Sequence, residues 1–402
     1  MQIFYNYHSK ISKLINSEFW LFEFSIWLHS LAFSLIYIFI PILLLNLNYS
    51  IKEVIIYYLL FYGFNVFINF FAEFLVRQLG ARIVIIISRV FAIIFFFILY
   101  NLSSDDYLLL FLLALSLSIY DALYWVAHIY FFMRCSPNDE DVSGDNSSLE
   151  IMRRVAGVLA PALGAAVLIF FNQKVLVAIS ILILFMSVVP LLSIKNVSDK
   201  PRRKRLELKK FFNSWHMIRD YLSRGFFASH DTAENIIWPI FIFTIYNSFE
   251  SVAFLPIIIS FTAMICIYFT GKIEKSDRKK IVIIASLIAS FVWMSRIFVE
   301  NNIFFNYSDN LKNIFYYFTV FVMAITSVMI YIPIDNNLYE KGEAKDALLT
   351  ATLRNAFGMF FRFLFFLILF FLVNVFHVSF LTASFSLVIL FLLNYSLVGN
   401  KY

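Results

Sequence analysis

Twelve stretches of roughly twenty mostly apolar residues succeed one another along this 402-residue chain. They lie at 21–46, 51–76, 81–100, 107–133, 150–171, 174–194, 220–246, 249–271, 280–299, 313–334, 347–373 and 377–396. Each is long enough for a helix to cross about 30 Å of hydrocarbon. Lipid offers no partner to an open backbone, so such runs fold as helices whose hydrogen bonds close within themselves. The connections are mostly short and leave no room for a soluble domain. Composition agrees: 61% of residues are hydrophobic and 14% charged, against about 45–50% and 25% in soluble domains.

Charge sets the expected orientation. Residues 195–224 alone hold ten basic side chains against three acids, more than the whole chain's excess of +6. That concentration speaks of a membrane-facing loop, with anionic lipid headgroups beside it, and not of nucleic-acid binding. With Lys10 and Lys13 inside, the inside turns also carry Arg77, Arg82, Lys272, Lys275, Arg278, Lys279 and Lys280. The outside turns carry one lysine each at most: Lys52, Lys174 and Lys312. Positive residues stay on the cytoplasmic side, so both termini are expected there, in a bacterial cytoplasmic membrane.

The chain also repeats itself. At an offset of 198, Pro41-Ile42 meets Pro239-Ile240, Ser50 meets Ser248, and Arg82 with its Ile-Val-Ile-Ile run meets Lys280 with the same run. At an offset of 200, Leu149, Arg154 and Ala156 meet Leu349, Arg354 and Ala356. Six helices per unit is an even number, so the two copies share one orientation. The expected organisation is an N-terminal half (1–194), a basic cytoplasmic linker (195–219) and a C-terminal half (220–402).

An all-α polytopic membrane protein of twelve helices, in two parallel six-helix halves about a basic central loop, resembles the major facilitator superfamily over nearly its whole length. Two local motifs resemble that family in part. The turn after the second segment keeps Gly80 and Arg82, but Arg77 stands at the family's acidic position and Glu73 at its leading glycine. The resemblance makes this a gating turn. The fifth segment carries Gly157, Pro161 and Gly164 with alanines between, similar to the family's antiporter signature and equally to a close-packing motif. The resemblance further implies a secondary transporter, with the first, fourth, seventh and tenth helices around a central cavity.

Ionisable groups in a spanning helix cost ~2.5–3.5 kcal/mol at its centre by insertion scales, so each needs a reason. In the fourth segment Asp121, Tyr124, Trp125 and His128 fall at i, i+3, i+4 and i+7, one stripe of one helix face. Such a stripe binds a cation, with the tryptophan face adding attraction, passes a proton, or serves packing as a buried acid–histidine pair. In the seventh segment His230, Asp231, Glu234, Asn235 and Trp238 admit two placements. The match of Pro239 to Pro41 puts them in mid-membrane facing the cavity; a helix starting late, at Ala233, leaves the first of them in cytoplasmic water. Tyr37 shares a face of the first segment with Ser30 and Ser34, while Glu23 reads as interfacial and His29 as a packed histidine. Arg362 lies too deep to reach water and calls for an acid partner or an anionic group, the acid being preferred. Arg153, Arg154, Arg354 and Arg296 lie near segment ends, where snorkelling explains them. Arg89 is expected to pair with Glu73.

No Walker loop, His-Glu-x-x-His helix or nucleophile elbow is present, so neither an enzyme nor ATP-driven transport is expected. With two cysteines and no Cys/His cluster, no metal and no cofactor are expected. The reading is a monomeric transporter of a small solute coupled to protons or another ion. Asp121, His128, His230, Asp231, Glu234 and Arg362 form its pathway; Tyr37, Tyr124, Trp125, Asn235 and Trp238 line its pocket. Efflux by antiport is preferred over uptake by symport. A non-transporting sensor on the same scaffold is the alternative of another class.

Overall fold

The computed structural model describes residues 18–135, 142–193, 215–270, 276–301, 309–344 and 346–395, and every regular element among them is helical. In order these are α1 (Glu18–Ser34), α2 (Ile40–Asn46), α3 (Ile51–Leu79), α4 (Ala81–Asn101), α5 (Tyr107–Cys135), α6 (Val142–Phe170), α7 (Gln173–Met186) and α8 (Val188–Ser193). They continue with α9 (Trp215–Thr232), α10 (Trp238–Tyr246), α11 (Phe249–Thr270), α12 (Arg278–Glu300), α13 (Asp309–Ala344), α14 (Ala347–Phe371) and α15 (Val375–Tyr395). Eleven helical stretches among the described residues are long and apolar enough to cross a membrane. The run from Trp215 to Tyr246 is of similar length but too polar in its first half to count by that measure.

Local chemistry explains the boundaries. Ser50 caps α3 in a reciprocal box, its Oγ accepting from Glu53 N at 3.3 Å while Ser50 N donates to Glu53 Oε2 at 2.6 Å. Asp346 caps α14, accepting from Leu349 N at 3.0 Å. Gly80 joins α3 to α4 at φ 92°, a backbone region that side chains other than glycine rarely enter. Two helices are interrupted at matching places. Between α1 and α2 a 3-10 turn (Tyr37–Phe39) precedes Pro41, and between α9 and α10 a π-helical turn (Ala233–Ile237) precedes Pro239. Proline lacks the N–H that would continue the ladder and crowds the carbonyl four residues back, so each break follows from its proline.

The outside of the bundle is apolar. Phe67, Phe170, Phe291 and Phe371 are 73–79% exposed, which suits lipid and would drive aggregation in water. Inside, α3 packs on α14 and α6 on α11, joining the N-terminal region (18–193) to the C-terminal one (215–395); α4 packs on α5 and α12 on α15 within them.

Several sequence expectations need correction. The late-starting seventh helix is not found: α9 begins at Trp215, and His230, Thr232, Ala233 and Glu234 are all buried. Hydropathy misses this because the polar groups satisfy one another inside protein and not in water. The segments at 150–171 and 313–334 extend to Val142–Phe170 and Asp309–Ala344, since helices continue past the apolar window. Of the linker, 195–214 lies outside the described residues, as do Lys10, Lys13, Lys272 and Lys275, while 215–219 opens α9.

Candidate functional site

A cavity of about 390 Å³ lies where α1, α5, α6, α9, α11, α13 and α14 converge. From the sequence-predicted set it gathers Tyr37, Asp121, Trp125, Asp231, Asn235 and Arg362, with Gly157 and Pro161 of the fifth-segment motif.

Asp121 reaches the wall from α5 and is held by a ladder of amides. Asn65 on α3 donates through Nδ2 to Asp121 Oδ2 at 2.9 Å and to the Ser118 carbonyl at 3.3 Å. One turn on, Asn69 donates to the Asn65 carbonyl at 2.6 Å and to Asn65 Oδ1 at 2.8 Å. Asn355 on α14 then donates to Asn69 Oδ1 at 2.7 Å. Carbonyls only accept, so those of Ser118 and Asn65 fix which end of each amide is which. Every donor in the chain therefore points toward the Asp121 carboxylate, and the last link crosses from the N-terminal to the C-terminal region.

Ion pairs make up much of the rest of the lining. Arg362 Nη2 donates to Asp231 Oδ2 at 2.6 Å, Asn235 donates to Asp231 Oδ1 at 2.8 Å, and Arg362 Nη1 approaches the Tyr62 hydroxyl at 3.5 Å. Arg354 donates to both oxygens of Asp335, at 3.1 and 2.5 Å. Arg224 lies 3.3 Å from the same acid. Arg153 holds Glu150 at 2.6 Å and stacks over the Trp125 ring at 4.5 Å. Arg153, Arg154 and Arg354 thus line the cavity and, against expectation, do not snorkel; the helix carrying the first two begins at Val142, which sets them about three turns inside it.

Five predicted residues stand behind the wall. Tyr124 and His128 are buried against each other, with ring centroids 5.1 Å apart. His230 accepts from Trp293 Nε1 at 2.9 Å through Nδ1 and meets Ser327 Oγ at 3.1 Å through Nε2, so both ring nitrogens are engaged. Glu234 is clamped by Arg296, Nη1 to Oε2 at 2.6 Å and Nη2 to Oε1 at 3.1 Å, with the guanidinium 3.7 Å from the Trp238 ring. Arg296 therefore does not snorkel: it is wholly buried. Trp238 covers that pair instead of lining the pocket. Among the described residues Arg89 pairs with no acid; its guanidinium lies 4.7 Å from the Tyr124 ring, and Glu73 holds Arg77 at 3.0 Å instead. Glu23 is buried, and His29 lines the cavity with Nε2 2.5 Å from the Tyr120 hydroxyl.

Outside the cavity lining, Arg77 also meets Asp346, the cap of α14, at 3.3 Å. Arg82 follows Gly80 into α4. Gly157 faces Ser260 on α11, and Gly164 faces the Leu35 carbonyl, so both glycines of the motif permit close helix contacts. Among the described residues no group of three or more His, Cys, Asp or Glu side chains could hold a metal ion. Sequence reasoning passed over Asn65, Asn69 and Asn355, and also Arg224 and Asp335. The first two carried a legible signal, amides at i and i+4 within an apolar segment.

The sequence profile of the Major Facilitator Superfamily matches residues 23–336. No curated protein matches the sequence. Among solved structures, a human organic anion transporter aligns at 11% identity over 93% of this chain and 98% of its own, with a TM-score of 0.67. The E. coli fucose:proton symporter aligns at 12% identity over 94% of this chain and 97% of its own, with a TM-score of 0.66, in two structures, one of them in the outward conformation. At such identities the likeness is one of fold.

Proposed function

This chain belongs to the Major Facilitator Superfamily, and from that premise we propose a secondary active transporter. It carries a small solute by alternating access of two halves, 1–194 and 220–402, about the cavity they share, in a cytoplasmic membrane with both termini inside. Protons are the coupling ion and Asp121 is the site that takes them up. The observation that carries this reading is the ladder from Asp121 through Asn65 and Asn69 to Asn355. An ionised Asp121 draws every amide toward itself; a protonated one accepts less strongly, and the loss is felt at the α3–α14 contact between the halves. Charge-assisted hydrogen bonds are about twice as strong as neutral ones, which gives the proton leverage over conformation.

Exchange of solute for proton follows if both compete at Asp121, and the fifth-segment signature accords with it. Symport is the second reading. The cavity carries five arginines and four carboxylates, and protonating Asp121 leaves it more positive still, which favours an anionic solute together with the proton. The structurally similar proteins include both an organic anion transporter and a fucose:proton symporter, so likeness of fold does not choose between them.

The test uses full-length protein in liposomes loaded with a pH-sensitive dye. Among carboxylates, sugars and amines, at least one solute moves protons on addition. Asp121→Asn abolishes that movement, and Asn69→Leu weakens it. Solute flux with no proton movement, or unchanged proton movement in Asp121→Asn, refutes the coupling site. No flux of any solute refutes the transporter and leaves the sensor reading.

A further inference from the structure

The arginines of the cavity are not all matched. Arg153 holds Glu150, Arg354 holds Asp335 and Arg362 holds Asp231, at 2.6, 2.5 and 2.6 Å. The fourth lining acid, Asp121, accepts from the Asn65 amide and, among the described residues, has no guanidinium at salt-bridge distance, although the charge of Arg362 reaches it. Two arginines remain. Arg154 lines the cavity with no carboxylate at salt-bridge distance among the described residues. The acids whose charge it feels, Glu150 and Asp231, are already held by other arginines. Arg224 shares the Asp335 carboxylate with Arg354, and its Nε and Nη1 are buried without a hydrogen-bond partner.

The repeat makes the deficit pointed. Arg154 and Arg354 correspond at the offset of 200, and at that offset Asp335 corresponds to Cys135. Arg354 has an acid at salt-bridge distance, and among the described residues Arg154 has none, with the Tyr331 hydroxyl as its neighbour instead. A guanidinium stays protonated in a protein, and a cation in a low-dielectric cavity without a counter-charge is costly. A ligand can supply that charge.

We propose that the solute is a small organic oxyanion, a carboxylate or a phosphate ester, whose charged group docks on Arg154 and Arg224. The planar fork of arginine matches both groups in bidentate fashion. Its body lies against Trp125, Phe33 and Tyr37, which give the same cavity an aromatic wall. A volume of about 390 Å³ sits at the low end for small-molecule sites and admits a single-ring compound. This assignment rests on reading the cavity as the transport site, and it goes with symport, because an oxyanion on Arg154 and Arg224 does not compete with a proton for Asp121.

The experiment is thermal unfolding of the full chain in detergent with four probes of similar size: benzoate, phenyl phosphate, benzamide and benzylamine. A ligand that binds the folded state raises apparent stability by mass action. Benzoate or phenyl phosphate, or both, raise the unfolding temperature, and which of them does so identifies the oxyanion; benzamide and benzylamine do not. In Arg154→Gln the anion concentration needed for the same shift rises about tenfold to a hundredfold, the loss expected of a charge-assisted bond. Arg154→Lys recovers part of it. Unfolding without ligand reports whether a variant folds, and Arg224→Gln serves where Arg154→Gln does not. Stabilisation by benzamide or benzylamine alone, an anion effect unchanged in both variants, or no anion effect at all overturns the proposal. Liposome flux separates it from the reading beneath it. Anions that bind but do not cross leave the site standing and remove the transporter; an amine or amide that crosses while no anion binds does the reverse.

Discussion

Arg296 in α12 and Arg89 in α4 are both sealed from solvent, at 0% and 1% exposure, yet their surroundings differ. Arg296 holds both oxygens of Glu234, donates from Nε to Thr319 Oγ1 at 3.0 Å and lies between Trp238 and Trp293. Beside it His230 uses both ring nitrogens. Arg89 has the Tyr124 ring, and its Nε, Nη1 and Nη2 find no hydrogen bond; neither do His29 Nδ1, the Tyr124 hydroxyl or His128 Nδ1. Around Arg296 the charged groups and His230 are all partnered, and Trp238 Nε1 is the polar atom left open beside them. The cluster around Arg89 has left its charge and most of its polar atoms open, next to the wall that presents Asp121. Buried charge alone therefore does not mark function: the completeness of its partners separates a brace from groups free to rearrange.

The largest expected effect comes from breaking the brace. Arg296→Met leaves Glu234 charged and buried with no counter-ion, a change worth about 3–5 kcal/mol. Thermal or denaturant unfolding in detergent measures it. Removing both partners, as Glu234→Leu with Arg296→Met, restores much of the loss, because the stranded charge goes too. A single variant as stable as the parent would show that the pair is not a brace, and the contrast between the two arginine clusters would collapse.

How much of this contrast could be read in the sequence depends on what each signal reports. Apolar run length reports the spans directly, because lipid imposes it residue by residue. The depth of His230 and Glu234 came only from the match of Pro239 to Pro41, since a hydropathy window averages over groups that satisfy one another inside protein. Asp121, Asp231 and Arg362 stand out as charges within apolar runs, and all three lie on the cavity wall. The Glu234–Arg296 pair was hidden: its members are 62 positions apart, and distance from a helix end says nothing of what packs around a side chain. Arg224 was hidden by its company, as one more base in a basic stretch. Asn65, Asn69 and Asn355 carry no charge, so a search for ionisable groups passes over the ladder that holds Asp121.

A second test compares backbone approach in the two regions. A Cβ on Gly164 would meet the Leu35 carbonyl oxygen, with Phe39 Cε2 at 3.2 Å behind it, just where α1 gives way to its 3-10 turn. Backbone cannot step aside as a side chain can, so Gly164→Ala costs about 1–3 kcal/mol. On α14 a Cβ at Gly358 meets nothing nearer than Ala228 Cβ at 3.9 Å. Gly358→Ala is therefore neutral or stabilising by up to about 1 kcal/mol, the ordinary gain of alanine within a helix. The difference between the two unfolding midpoints is the readout. Equal midpoints would mean that α1 and α6 are not held at the close distance that Gly164 allows.

The smallest effect is the most informative about Arg89. Arg89→Met removes a guanidinium that has no acid partner and whose nitrogens find no hydrogen bond among the described residues. What is lost is the attraction to the Tyr124 ring, about 0.5–2 kcal/mol. What is relieved is the burial of an uncompensated charge. The two oppose, and methionine fills much of the same volume, so stability changes by about 1 kcal/mol or less, in contrast to Arg296→Met. If the two substitutions instead prove equally damaging, Arg89 has a counter-charge as firm as Glu234. The Arg89 cluster would then be a second brace, and its open polar atoms would have to be counted as bound. A small change in unfolding accompanied by altered proton movement in liposomes is the opposite outcome. It would place Arg89 among the groups that respond when Asp121 gains or loses its proton, and would set its cluster apart from the Arg296 brace as their hydrogen bonds already do.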